Sequence, residues 1–193
     1  MSHAIDRVDQ LWRRIEARLP LVASPTGPLL AAGASEQALE RVEAALGIAL
    51  PEDVRASYRR HDGGFRMRLA TDIEILPLAG IAAAWQILEE LLHDEEWAQQ
   101  QPYYFSEEVL VRSSWHPGPI QPVWWSRHWI PFAADQAGNH ACLDLAPAAG
   151  GAWGQIIDWD HECGPARVLF PDFAHLLASF DDQLERSDGP QSA

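Results

Sequence analysis

Hydrophobic residues recur at steps of three and four along much of the chain, a spacing that predicts amphipathic helices. Such stripes occupy residues 5–19, 35–46, 51–61, 80–100 and 173–184. The second stripe carries clear boundary signals. Ser35 suits the N-cap of a helix, and Gly47 suits the left-handed position that follows a helix C-terminus. The pattern therefore predicts five helices.

Alternation of apolar and polar residues, which is typical of strands with one buried face, marks the segment 129–159. Three short strands with glycine-containing turns between them are predicted at residues 129–134, 140–145 and 153–159. Shorter candidates are residues 73–75 and 107–112. Helices come first, then strands, then a helix, and the spacings are those of hairpins. This order predicts a single α+β domain with a central, mostly antiparallel sheet that is packed by N-terminal, middle and C-terminal helices.

The middle strand of the segment has two different faces. Ala141 and Leu143 point to one side, which we expect to pack on helices. His140, Cys142 and Asp144 point to the other side, and the neighbouring strands add tryptophans there. A face that mixes aromatic and polar residues is either covered by another part of the chain or used for recognition.

Partner binding is predicted at this mixed face and beside it. Two adjacent tryptophans lie in a Pro-rich loop, where binding residues are common, although they could equally fill a core. The acidic residues of the segment 158–162 could meet a basic protein or simply face water. The predicted partner-binding residues are Trp124, Trp125, Trp153, Asp144, Asp158, Asp160, His161 and Glu162.

Charge narrows the class of partner. The 193 residues carry a net charge of −14, and all 14 basic residues are arginines. Such an acidic surface repels nucleic-acid phosphates and anionic lipids, so neither is expected as a partner, while a basic protein is. Two cysteines do not form a disulfide framework, and the N-terminus has no signal-peptide core. A cytoplasmic protein of undetermined oligomeric state is expected.

Catalytic chemistry is weakly represented. Asp135, His140, Asp144 and His161 supply metal-ligand types, which leaves a metal-dependent hydrolase as a remote alternative, but their spacing is not that of a zinc motif. Cys142 stands two residues from His140 with no third orienting group, which favours a buried structural thiol over a nucleophile. No metal, no cofactor and no enzymatic activity are predicted.

Several segments, in this order and spacing, resemble a known family. They are "ALERVEAALGIALPEDVRASYRRHDGG", then "WWSRHWIPFAADQAGNHACLDL" followed by a Gly-Gly loop and "GQII", and finally "LFPDFAHLLASFDDQLE". Together they resemble the SUKH superfamily, which includes fungal Smi/Knr cell-wall-assembly regulators and bacterial immunity proteins. The resemblance suggests a SUKH-like domain over residues 35–186, preceded by a helix and connector at 1–34 and followed by a flexible tail at 187–193.

The resemblance implies helices packed against one central sheet and a non-enzymatic, protein-binding role. The first expectation is a bacterial immunity protein that binds and neutralises a cognate toxin, and the expected partner is a basic toxin domain. The alternative is a regulator or scaffold in cell-envelope or cell-wall synthesis or signalling.

Overall fold

A computed structural model describes residues 2–19, 30–69, 71–94, 96 and 118–188, and these residues include five helices and six strands. The helices are α1 (Ser2–Arg18), α2 (Glu36–Leu46), α3 (Glu52–Arg60), α4 (Leu78–His93) and α5 (Phe173–Asp188). The strands are β1 (Arg66–Arg68), β2 (Asp72–Ile75), β3 (Trp129–Ala134), β4 (His140–Asp144), β5 (Gln155–Asp160) and β6 (Gly164–Phe170). The α+β prediction is confirmed.

Local chemistry sets the ends of α2 as predicted. The Ser35 side chain accepts a hydrogen bond from the Ala38 amide, and Gly47 takes the left-handed conformation with φ of 67°. Both devices satisfy backbone groups that a helix leaves unpaired at its ends. Helix α4 is shorter than predicted, because its cap lies at Asp94.

The strands form one sheet whose spatial order, β1-β2-β3-β4-β5-β6, is also the chain order. Every neighbouring pair is antiparallel. The pairing of β3 with β4 shifts between Pro131 and Ala133, and this irregularity accommodates a proline within an inner strand. Strands β1 and β6 were not predicted, and the strand candidate at 107–112 lies outside the described residues.

The main core lies between the apolar face of the sheet and the helices, as predicted. Ile130, Phe132 and Leu143 contribute from the sheet, and all three are buried. Helix α1 belongs to this core through fully buried Trp12, whose indole Nε1 donates to Ser57 Oγ of α3 at 2.8 Å. The N-terminal helix is therefore an integral part of the packed structure. The predicted domain boundaries at 34 and 186 remain predictions.

Ion pairs tie α1 to its neighbours. Both Arg14 and Arg18 reach Asp181 on α5, with the Arg18 Nε to Asp181 Oδ1 distance at 3.0 Å. Glu16 accepts from Arg60 of α3 at 2.5 and 2.6 Å. These hydrogen bonds with Arg60 lower the pKa of Glu16 to about 2. Eight of the 14 arginines lie in α1, α2 and α3, where eight aspartate and glutamate residues accompany them.

A second core covers the opposite face of the sheet. Its strand residues are Trp129, Cys142, Ile157 and Trp159, and its cover consists of α4 and the loop at 118–128. Helix α4 begins at the main core and then contributes buried Leu88 to the second. The mixed face is thus covered by the chain itself, which settles the choice left open by the sequence.

Candidate functional site

The paired tryptophans of the Pro-rich loop lie inside the protein. Trp124 and Trp125 are each 3% exposed, so the expected display of both on the surface is corrected. Trp125 Nε1 donates to Glu89 Oε1 of α4 at 2.9 Å, and Trp159 Nε1 donates to the Trp124 carbonyl at 2.6 Å. These contacts fasten the loop over the second core. The sequence could not show this, because the covering helix lies more than 30 residues away.

Asp144 is also buried, which corrects its expected contact with a partner; the alternative, that an aspartate within a strand is held by backbone or by a tryptophan indole, is confirmed. Its carboxylate accepts from Trp129 Nε1 at 3.1 Å, from Gln155 Nε2 at 2.8 Å and from the Ala146 amide at 3.1 Å. Gln155 Nε2 also donates to the Pro119 carbonyl at 3.1 Å. Burial raises the pKa of Asp144, while these donors oppose that shift. We call this set the Asp144 bracket; it holds two loops against the sheet.

The remaining predicted residues are separated along the sheet. Trp153 is 61% exposed and lies in the turn before β5 rather than in the strand. The acidic residues lie toward the other end of β5, about 17 Å away at strand spacing. Asp158 pairs with Arg167 of β6 at 3.3 Å, and Asp160 accepts from the Glu162 amide at 2.8 Å. Trp153 and the acidic segment therefore do not form one surface. Whether either contacts a partner stays a prediction.

The remote metal alternative does not assemble. Asp144 lies at the end of β4 opposite His140 and is occupied by the bracket. Among the described residues, no three histidine, cysteine, aspartate or glutamate side chains stand close enough to hold a metal ion. Cys142 is buried, and burial raises the pKa of its thiol well above the usual value, which disfavours a thiolate nucleophile.

Two hairpin turns are joined at the end of the sheet where the acidic segment lies. Asp135 accepts from the Asn139 amide and from Asn139 Nδ2, both at 2.9 Å. Asn139 Oδ1 in turn accepts from the His161 amide at 3.1 Å and from His161 Nδ1 at 2.9 Å. Burial would raise the pKa of Asp135, but the hydrogen bonds from Asn139 lower it. Asp135 and Asn139 thus have a structural role in the turns and also fix His161.

An apolar groove of about 390 Å³ runs between these joined turns and α4. We call it the α4 groove. Its helical wall presents Ala84, Ile87, Leu88 and Leu91, its floor is formed by Trp124 and Trp159, and its other wall consists of Gly138, His140 and His161. Ile87 is 57% exposed, an unusual position for so large an aliphatic side chain beside other apolar groups.

The polar groups of the α4 groove are suited to binding rather than catalysis. His140 packs on Trp159 with ring centroids 5.7 Å apart, and its Nδ1 donates to the Ala133 carbonyl at 3.3 Å. Burial lowers the pKa of His140, so the neutral imidazole is favoured. No serine, cysteine or carboxylate lies among the described residues that line this groove. The groove offers apolar contact area with two imidazole edges.

A second, more polar depression of about 720 Å³ lies near β1, β2 and the turn between β3 and β4. Its lining includes Arg66, Asp72, Glu74 and Asp135. Arg66 and Glu74 pair with each other at 3.1 Å across the strands. Because Arg66 and Glu74 of this depression already pair with each other and its lining is more polar, the α4 groove is the stronger candidate for a binding site.

Comparison with known proteins finds one matching family and several similar fungal proteins. The sequence model of the SMI1 / KNR4 family (SUKH-1) matches residues 33–179. The chain is 30% identical over 92% of its length to the KNR4/SMI1 homolog 2 of Debaryomyces hansenii. It is 30% identical over 89% of its length to the cell wall biosynthesis/cell cycle regulator smi1 of Schizosaccharomyces pombe. The cell wall assembly regulator SMI1 of Saccharomyces cerevisiae is 24% identical over 90% of the chain.

The chain is much shorter than these relatives. It covers 35% of the Debaryomyces and Schizosaccharomyces proteins and 40% of the Saccharomyces protein. The matched region includes α2 to α4, the whole sheet and all the residues that line the α4 groove. Within the described part of the chain, no helix has the length and apolar character needed to cross a bilayer.

Proposed function

The chain belongs to the SMI1 / KNR4 family (SUKH-1), and from that premise we propose that it is a non-catalytic, protein-binding regulator of cell-wall assembly. The observation that carries this proposal is the similarity along about nine-tenths of the chain to proteins named as cell-wall regulators. The chain corresponds to the SUKH portion of those longer relatives, and it would act by holding other proteins rather than by transforming a substrate.

The geometry supports a binding role. The α4 groove is apolar, partly open and bordered by turns that are fixed by hydrogen bonds. The residues that resembled an active site in the sequence are separated in the structure. Asp144 belongs to the Asp144 bracket, whereas Asp135 and His161 belong to the joined hairpin turns. A site of this kind recognises a shape and an apolar surface, and it has no activated nucleophile or general base among the described residues that line it.

The relatives favour the regulator hypothesis over the immunity hypothesis. The names of the Schizosaccharomyces and Saccharomyces proteins refer to cell-wall biosynthesis and assembly. The net charge of −14 suits a basic partner of either kind and so does not distinguish the two hypotheses. The cellular role is therefore proposed from the family, and the immunity role from the sequence is not carried further.

The test is genetic and biochemical together. The gene is deleted in the organism that carries it, and the full chain with an affinity tag is returned, cross-linked and recovered for mass spectrometry. We expect the deletion to sensitise cells to wall-perturbing agents and the recovered proteins to be enriched in wall-synthesis or signalling components. A toxin domain as the dominant partner, together with toxin sensitivity and a normal wall, would overturn the proposal.

A further inference from the structure

We propose that the α4 groove docks a segment of a partner protein in which apolar anchor residues are flanked by lysine or arginine. This inference rests on the proposed protein-binding function and identifies the surface and the chemistry of the partner. Three properties of the groove carry it: an exposed apolar stripe, a rigid floor, and a one-sided distribution of charge.

The apolar stripe belongs to α4. Ala84, Ile87 and Leu91 follow one another at helical spacing and line the groove together. Leu88 points into the second core, which fixes the orientation of the helix. Ile87 is left 57% exposed at the centre of the stripe. Burial of such a side chain in a complex is favourable because water is removed from apolar area, and a cleft of about 390 Å³ has room for anchor side chains.

The floor of the groove is held in place before any partner arrives. The Trp124 and Trp159 rings meet edge to face with centroids 5.1 Å apart, and Trp159 Nε1 donates to the Trp124 carbonyl. The opposite wall is fixed because His161 is bonded to Asn139. Preformed walls reduce the conformational entropy lost on binding, so a short segment is sufficient as an occupant.

Charge defines the partner. Glu90 precedes Leu91 on α4 and is exposed, while Asp160 and Glu162 flank His161 at the far wall. No arginine is found among the described residues that line the groove. The arginines instead concentrate on α1, α2 and α3, where they pair with carboxylates. An apolar cleft with an acidic border, in a protein of net charge −14, is complementary to an apolar segment with basic flanks.

The experiment uses the full chain and a designed probe. The probe is a fluorescently labelled amphipathic peptide with leucine at positions i, i+3, i+4 and i+7 and lysine at the others, and its twin has glutamate in place of lysine. Binding is followed by anisotropy at low and high salt. The variant is I87R, which introduces charge at an exposed position. The matched control is W153R, which makes an equivalent change at the exposed Trp153 beyond the other end of β5.

We expect the lysine peptide to bind the wild-type chain and W153R equally, and to bind I87R at least about tenfold more weakly, because central apolar anchors dominate interfaces. E162R is expected to weaken binding by a factor of about three and to flatten its salt dependence. Equal binding of the wild type and I87R would overturn the proposal, as would equal binding of the glutamate peptide.

A third result is informative about a different occupant. If neither peptide binds and I87R lowers the melting temperature by several degrees, Ile87 is covered by another segment of this chain, and the proposal fails. These results are independent of the wall phenotype. If the chain binds the peptide but its deletion leaves the wall normal, only the proposed cellular function is refuted. If I87R restores a normal wall to the deletion strain, only the groove is refuted.

Discussion

The Asp144 bracket makes a quantitative prediction about what holds the loops at 118–125 and 145–154 in place. The substitution Asp144→Ala removes an acceptor that serves the Trp129 indole, the Gln155 amide and the Ala146 backbone amide. Of these donors, only the Trp129 indole is fully buried without an alternative acceptor among the described contacts, because Gln155 retains the Pro119 carbonyl.

The magnitude follows from this inventory. A buried donor left without an acceptor, here the Trp129 indole, lowers the free energy of unfolding by about 1–3 kcal/mol. Loss of the hydrogen bond from Gln155 to Asp144 lowers it by up to about 1 kcal/mol more. The substitution also removes a carboxylate whose pKa is raised by burial. Because a buried charge is costly, its removal offsets part of that loss. We therefore expect Asp144→Ala to lower the free energy of unfolding by about 2–3 kcal/mol, which corresponds to about 5–10 °C in melting temperature for a chain of this size.

The assay is urea unfolding followed by tryptophan fluorescence, which reports directly on the second core. Asp144→Asn retains an oxygen that can accept from Trp129, so its expected loss is smaller, about 1 kcal/mol. Asp182→Ala, at an exposed position of α5, is the control and should change stability by less than about 0.5 kcal/mol. If Asp144→Ala behaves like Asp182→Ala, the bracket does not stabilise the loops and the reasoning is refuted.

Three further predictions address other parts of the structure. The pKa of Glu16 is lowered to about 2, so its contribution to stability is full above about pH 4.5 and is lost as the pH falls toward 2. Glu16→Gln should therefore abolish this part of the acid dependence when unfolding is measured as a function of pH. Asn139→Ala removes the hydrogen bonds that join two turns and should lower the free energy of unfolding by about 1–2 kcal/mol. The His161 amide should then exchange faster in hydrogen-exchange mass spectrometry, and unchanged exchange would contradict the link. Gly164 and Gly154 have φ of 80° and 82°, but only Gly164 places a Cβ 3.2 Å from loop backbone. Gly164→Ala should therefore cost more than Gly154→Ala, which carries backbone strain of about 1 kcal/mol alone, and equal losses in denaturant unfolding would exclude a packing contribution.

Local signals predicted those elements whose boundaries are set by nearby residues. The Ser35 cap and the glycine after α2 required no tertiary information. Strand β6 was missed because Gly164 and Pro165 read as a turn and because its later residues do not alternate. Val168 packs toward the second core, whereas Phe170 packs toward the main core. Both faces of the strand are partly covered, so the period of two is hidden.

The candidate site was predicted only in part, for a related reason. Periodicity identifies a helical stripe, but it does not state which side of α4 another element will cover. Trp124 and Trp125 are buried because α4 lies over them. Ile87 is exposed because it lies on a side of α4 that no described element covers. His161 was predicted at the site, and its contact with Asn139 required the two hairpins to meet. Such residues are assigned by the packing of distant segments, which no single-sequence pattern contains.

The ion pairs between α1 and α5 have a consequence for synthesis on the ribosome. The six strands pair in chain order, so each hairpin can close as it leaves the exit tunnel. Arg18 and Asp181 are separated by 163 residues, and their contact forms only after α5 has emerged. Until then the part of the main core that α5 covers stays open, although α1 can already pack on α3 through Trp12 and Ser57. Completion of the main core during synthesis therefore waits for α5, whose Phe173, Leu176 and Leu177 fill it.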